Sequence, residues 1–139
     1  MSLDNYLQET GALATLAGIM AGFAISAVIQ LLSIDKPGKL TTVTIVTFAG
    51  STVMFVYSLL VFVLLFAAAA ERNALPTTLE GYGNYALLLI FAAIDLFLVG
   101  IGLSGWLRSK ATGIATTLLA LMTICLTSIA IIAVMSIFA

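Results

Sequence analysis

Residues 40–70 read LTTVTIVTFAGSTVMFVYSLLVFVLLFAAAA, a run of 31 residues without one charged side chain. A transmembrane helix needs about 20 predominantly apolar residues to cross a hydrocarbon core roughly 30 Å thick. At 1.5 Å per residue this run is about 46 Å long as a helix. We therefore expect it to cross a membrane with a tilt, or to project beyond the membrane at its alanine-rich end.

Three further runs of the same kind accompany it, at residues 11–34, 85–107 and 111–138. They are too long and too uniformly apolar to be the alternating strands of a membrane β-barrel. Because the hydrocarbon core offers no water to backbone amides, a helix is the expected structure. The sequence therefore predicts an all-α membrane protein, in which residues 1–139 form a single antiparallel, up-down four-helix transmembrane bundle.

The composition supports lipid as the solvent of this chain. Of the 139 residues, 63% are hydrophobic and 8% are charged, and the mean hydropathy is +1.25. Soluble domains carry about 25% charged residues. The net charge of −1 and the lack of a basic run argue against a nucleic-acid partner.

Residue counts also exclude several kinds of chemistry. Histidine is absent, which removes the commonest general base and the commonest metal ligand. Cys125 is the only cysteine, so CxxC redox pairs and cysteine-based zinc sites are excluded. We therefore expect a protein that is not an enzyme and that holds no cofactor and no metal.

Basic residues outside the runs predict the orientation. The short loops after the first and third runs carry Lys36, Lys39, Arg108 and Lys110. The opposite side carries only Arg72. By the positive-inside rule, the short loops are expected in the cytoplasm, with both termini and the loop at residues 71–84 outside. The predicted location is the cell membrane, either a bacterial inner membrane or a plasma membrane.

The first ten residues do not resemble a signal peptide, because they contain Asp4 and Glu9 and no basic residue. Leu3, Tyr6 and Leu7 follow a helical spacing, and Ser2 is suited to cap the start of a helix. Residues 1–10 are therefore expected to form a short interfacial helix or a frayed tail.

Asp95 is the only charged residue within the four runs, and it lies about eleven residues from either end of the third. A carboxylate at the bilayer centre costs roughly 2.5–3.5 kcal/mol on insertion scales, so it requires a partner, a proton or a function. One interpretation makes it an ion or proton ligand on a polar path. A second makes it a protonated, hydrogen-bonded group that joins helices or subunits. A third makes it the site for a basic residue of another membrane protein.

Other polar residues are candidates for the same path. Tyr57 falls at a similar depth in the second run, where its hydroxyl could donate a hydrogen bond to Asp95. Gln30 lies near the end of the first run and is expected to reach interfacial water. Hydroxyls on neighbouring helices can line a hydrated path or bond back to their own helix. The candidate hydroxyl residues are Ser51, Ser58, Thr123 and Thr127.

Small residues predict where helices approach closely. The first run places small residues at strict four-residue spacing, at Ala14, Gly18, Gly22 and Ser26. This pattern favours close packing against another helix of the chain or against a second copy. Gly100 and Gly102 in the third run are further packing candidates. They begin a GxGxxG pattern, which lacks the strand that a dinucleotide-binding fingerprint requires before it.

Two functions follow from these features. The first is an oligomeric channel or transport subunit for ion transport, with Asp95 in or near a polar path. The alternative is a non-enzymatic accessory or assembly subunit of a larger membrane protein complex. Both place the chain in a lipid bilayer, and both require partners, either further copies or another membrane protein.

Overall fold

The computed structural model describes residues 2–34, 38–76 and 79–138. It contains four long helices: α1 (Leu3–Leu32), α2 (Lys39–Arg72), α3 (Glu80–Arg108) and α4 (Lys110–Phe138). All four are long and apolar enough to span a membrane, and the described residues include no strand. The predicted all-α fold with four transmembrane helices is confirmed.

Consecutive helices pack side by side and antiparallel. Extensive contacts join α1 to α2, α2 to α3 and α3 to α4, whereas the other helix pairs touch at most marginally within the described ranges. The helices therefore follow one another in a row, and α4 is held almost entirely by α3. We call the membrane end at which Lys39, Arg108 and Lys110 lie the basic end.

The helices extend beyond the apolar runs. Ser2 caps α1 by accepting a hydrogen bond from the Asn5 amide at 3.3 Å. Residues 3–10 are therefore the first turns of α1, continuous with the membrane span, and not a separate interfacial helix or a frayed tail. Neither glycine nor proline occurs among them to end the helix. Similarly, α2 continues to Arg72 and α3 begins at Glu80, so the connection is shorter than the predicted 71–84.

Ser109 alone separates α3 from α4. Its amide donates to the Gly105 carbonyl at 3.3 Å and ends α3. Its hydroxyl accepts from the Thr112 amide at 3.1 Å and caps α4. One extended residue thus serves as the end of one helix and the start of the next.

The core lies between α1, α2 and α3, and it sets large side chains of α2 against small ones of its neighbours. Phe55 and Phe62 of α2 are buried in one cluster with alanines of α1 and α3. Nearer the basic end, Phe48 packs edge-to-face on Phe97, with ring centroids 5.4 Å apart. A β-carbon at Gly100 would lie 2.9 Å from the Phe48 ring, so this glycine makes room for the phenylalanine.

The face by which α1 packs is not the face that the predicted series of small residues, spaced four apart, defines. Its buried positions include Ala14, Ala17, Ala21 and Ala24, which follow a spacing of three and four. Of the predicted series only Ala14 is buried. Gly18 only borders Leu59 at van der Waals distance, and no neighbour lies within 4 Å of a β-carbon built at Gly22. Ser26 is exposed and donates to the Gly22 carbonyl.

Candidate functional site

Asp95 occupies the central turns of α3, 15 residues after Glu80 and 13 before Arg108. At 1.5 Å per residue it lies about 20 Å from each end of the helix. Its side chain is exposed on the lateral surface and takes no part in the core. No hydrogen bond or ion pair connects it to any other residue that the structure describes.

Asp95 is flanked by apolar side chains on the same side of α3. Leu88 is 63% exposed and Val99 is 43% exposed, and Ala92 between Leu88 and Asp95 is exposed as well. Aromatic residues mark the two ends of this side. We call this side of α3 the Asp95 face; it comprises Tyr85, Leu88, Ala92, Asp95, Val99 and Trp106. The spacing of three and four places these side chains on one side of the helix.

Thr127 of α4 lies near the depth of Asp95. The contacts of Gly102 with Thr117 and of Gly105 with Thr116 set the register of the two antiparallel helices. Continued along both helices, that register brings Cys125 level with Asp95 and places Thr127 about two residues, or about 3 Å, further along α4. Thr127 is half-buried, and its hydroxyl makes no hydrogen bond to the described residues. In contrast, Thr123 donates to the Leu119 carbonyl of its own helix at 2.8 Å.

The expected hydrogen bond between Tyr57 and Asp95 is absent. The bond from the Ser58 hydroxyl to the Ala86 carbonyl sets the register of α2 against α3. In this register Tyr57 lies about eight residues, or about 12 Å, beyond the level of Asp95. Tyr57 is also 42% exposed, on a face of α2 outside the core. The two side chains therefore belong to different surfaces.

Ser51 and Ser58 are fully buried, and their hydroxyls are used for packing. Ser51 donates to the Phe48 carbonyl at 3.1 Å. Ser58 approaches two carbonyls, that of Met54 in its own helix at 2.9 Å and that of Ala86 in α3 at 3.0 Å. Hydroxyls bonded to helix carbonyls are satisfied without water. These two serines therefore support the core and offer no polar group to Asp95.

The remaining predicted residues lie elsewhere. Gln30 is exposed near the end of α1 and borders a cavity at the basic end. Gly100 packs under Phe48, and Gly102 packs against Thr117 of α4. Within the described residues, no three histidine, cysteine, aspartate or glutamate side chains are grouped as they would be around a metal ion.

The sequence did not indicate that the Asp95 side chain is exposed on the outer surface of α3. Its neighbours along the helix are apolar both toward the core and away from it, so no periodicity distinguishes the two directions.

Comparisons of the chain with protein-family models, with curated proteins and with solved structures find no match. The geometry of the Asp95 face is accordingly the basis for a functional proposal.

Proposed function

We propose that this integral membrane protein is a non-enzymatic subunit of a larger membrane assembly. In this proposal the Asp95 face docks against a transmembrane helix of a different protein that carries a lysine or arginine at mid-membrane depth. The observation that carries the proposal is an unpartnered carboxylate exposed sideways at the centre of a membrane span. Facing lipid, such a group costs roughly 2.5–3.5 kcal/mol, and a cationic partner would remove that cost.

The positions of the chain's own basic residues argue against a second copy as that partner. Lys39 and Lys110 begin α2 and α4, and Arg72 and Arg108 end α2 and α3. Lys36 lies outside the helices in sequence. In either relative orientation, a second copy therefore brings its cations to the membrane ends, about 20 Å from Asp95. A different protein is needed to supply a cation at the required depth.

The shape of the Asp95 face suits a closely packed helix. Ala92, one turn before Asp95, is exposed and small, which allows a neighbouring backbone to approach. The free hydroxyl of Thr127 near the same depth adds a group that can donate or accept a second hydrogen bond. Leu88 and Val99 are apolar and compatible with a transmembrane neighbour, whereas Trp106 at the basic end already packs against α4.

The test uses the protein in its native membrane with a cysteine placed on the Asp95 face. The exposed Cys125 is first replaced by alanine, and Ala92→Cys then carries a cross-linker. Mass spectrometry identifies the cross-linked protein and the position of its lysine or arginine. Asp95→Asn should weaken the association at least about 30-fold, because removing one member of a buried charge pair costs 2–5 kcal/mol. Glu71→Gln, a carboxylate at the end of α2, is the matched control and should have no effect.

Charge exchange makes the test specific. Asp95→Lys should abolish the complex, and replacing the partner's cation by aspartate should restore it. Cross-links that form only between copies of this chain, or an Asp95→Asn variant that binds its partner as well as the wild type does, would overturn the proposal.

A second candidate function is an oligomeric channel or transport subunit. The free hydroxyl of Thr127 near the depth of Asp95 favours it, because the neighbouring helices α3 and α4 then each have a polar group near mid-membrane. Leu88 and Val99 count against it, since they interrupt a polar path on either side of Asp95. Ion flux into liposomes that hold only the purified chain, abolished by Asp95→Asn, would establish the channel and reject the accessory role.

We also propose that the basic end faces the cytoplasm of a cell membrane. Lys39, Arg108 and Lys110 at that end, against Arg72 at the other, support this orientation. In a Cys125→Ala background, a cysteine in place of Ser2 should react with a membrane-impermeant maleimide in intact cells. Protection of that cysteine until the cells are lysed would reverse the assignment.

A further inference from the structure

A cavity of about 640 Å³ opens at the basic end, between the last turns of α1 and α3. Its polar border includes Gln30, Ser104 and Arg108, and its apolar wall includes Leu31, Phe48 and Leu107. Small-molecule sites commonly have volumes of about 300–1,000 Å³ and combine an apolar lining with a few polar groups. The cavity has the size and the mixed lining of such a site.

The polar border carries uncompensated donors. The Arg108 guanidinium and the Gln30 side-chain amide have no hydrogen-bond or ion-pair partner among the residues that the structure describes. Ser104 donates to the Ile101 carbonyl at 2.7 Å, so the free donors of the border are those of Arg108 and Gln30. A guanidinium presents paired N–H groups that match the oxygens of a phosphate. The border therefore favours an anion with several oxygens.

The apolar wall indicates that this anion belongs to an amphiphile. Phe48 and Leu31 are buried side chains that line the cavity beside its polar border. A free anion would leave this apolar surface uncovered. A molecule with an anionic head and an acyl chain would satisfy both parts, with its head at the membrane surface and its chain directed into the bilayer.

The charge distribution of the chain favours the same ligand. The described residues of the basic end include Lys39, Arg108 and Lys110, a charge of +3. The described charged side chains at the opposite end are Asp4, Glu9 and Glu71 against Arg72, a charge of −2. Anionic lipid headgroups are attracted to basic segments next to a membrane.

We propose that this cavity binds an anionic phospholipid, whose phosphate contacts Arg108 and Gln30 and whose acyl chain covers Leu31, Phe48 and Leu107. The site is independent of the Asp95 face, because Arg108 is about 20 Å along α3 from Asp95. Its test is therefore separate from that of the accessory role.

The test measures binding to the purified full chain in a neutral detergent. The probes are dioctanoyl-phosphatidylglycerol, dioctanoyl-phosphatidylcholine and inorganic phosphate, each titrated by native mass spectrometry or by the fluorescence of Trp106, the only tryptophan. Phosphatidylglycerol should bind at least about tenfold more tightly than phosphatidylcholine, whose choline cation is repelled by the basic end, and than inorganic phosphate, which leaves the apolar wall uncovered. Arg108→Gln should remove that preference, whereas Lys110→Gln, a charge next to the cavity but outside its lining, should change it less than about twofold.

A steric variant separates the cavity from general surface charge. Ala27 also lines the cavity, and Ala27→Phe should fill it and weaken phosphatidylglycerol binding while every basic residue stays in place. Thermal unfolding of each variant without lipid verifies that it is folded. Equal affinity for the two lipids, equal losses in Arg108→Gln and Lys110→Gln, or inorganic phosphate binding as tightly as phosphatidylglycerol would each overturn the proposal.

Discussion

The contact between α1 and α2 and the contact between α3 and α4 both use small residues, but in different ways. On α1 the small residues are alanines, and Gly18 and Gly22 are not in tight contact with α2. On α3, a β-carbon at Gly105 would collide with the Thr116 hydroxyl and lie 2.9 Å from the Thr112 carbonyl oxygen. Gly105 is thus required between α3 and α4, whereas Gly18 and Gly22 are dispensable between α1 and α2.

Hydrogen bonding separates the two contacts as well. The Trp106 indole N–H donates to the Thr117 hydroxyl at 3.0 Å, and this bond connects α3 to α4. On α1, the hydroxyls of Thr10, Thr15 and Ser26 donate to carbonyls of α1 itself and not to α2. The comparison teaches that a glycine series identifies a helix that is able to pack closely, while the register of the neighbouring helix decides which glycine is in contact.

The largest effect is expected from Gly105→Ala, which would break the contact between α3 and α4. The added methyl group meets a backbone oxygen that cannot rotate away, so the two helices must separate. We expect a loss of about 3 kcal/mol in the free energy of unfolding, at the upper part of the range for overpacking. Unfolding in mixed micelles with increasing SDS measures it, and a loss below about 1 kcal/mol would contradict the tight contact.

Ala17→Leu tests the contact between α1 and α2. Ala17 has no exposed surface and faces the core, so three added carbon atoms must displace α2. A destabilisation of about 2 kcal/mol is expected from overpacking. Ala12→Leu, at an exposed position on the same helix, is the control and should leave the SDS midpoint unchanged. Equal midpoints for the two variants would show that α1 packs by another face.

A smaller effect is expected from Thr117→Val, which removes the acceptor for the Trp106 indole N–H. Interhelical hydrogen bonds in membranes contribute about 0.6 kcal/mol on average, and a loss of that size is predicted. Thr123→Val removes only a bond to its own helix and should cost less. The tryptophan emission spectrum provides a second measurement, because Thr117→Val alone should shift it.

Gly22→Ala should have the smallest effect. Nothing lies within 4 Å of the β-carbon that it adds, and alanine favours a helix over glycine by up to about 1 kcal/mol. The monomer should therefore be equally stable or slightly more stable. If the variant instead dissociates an oligomer on a native gel, Gly22 lies in a contact between copies, which would extend the comparison beyond the single chain.

The sequence predicted the four spans, their antiparallel order and the depth of Asp95, because apolar length and the positions of charges determine these properties. The direction in which Asp95 points, and the choice of Ala17 and Ala21 over Gly18 and Gly22, could not be predicted. In a soluble protein, polar residues mark the outer face of a helix. In this protein the side chains that face lipid and those that face the core are equally apolar. Hydropathy therefore does not distinguish the two faces of a helix, and only contacts with neighbouring helices identify the outer one.

Only Ser109 lies between α3 and α4. We therefore expect the two helices to leave the translocon together, as one hairpin, during synthesis. The carboxylate of Asp95 then partitions into the bilayer together with α4, which carries no charged residue after Lys110. The favourable insertion of the apolar helix α4 offsets the cost of inserting the Asp95 carboxylate of α3. We therefore expect membrane insertion to depend on α4, the helix that contributes least to the folded core. A chain truncated at Arg108 should integrate into microsomes less efficiently than the full hairpin.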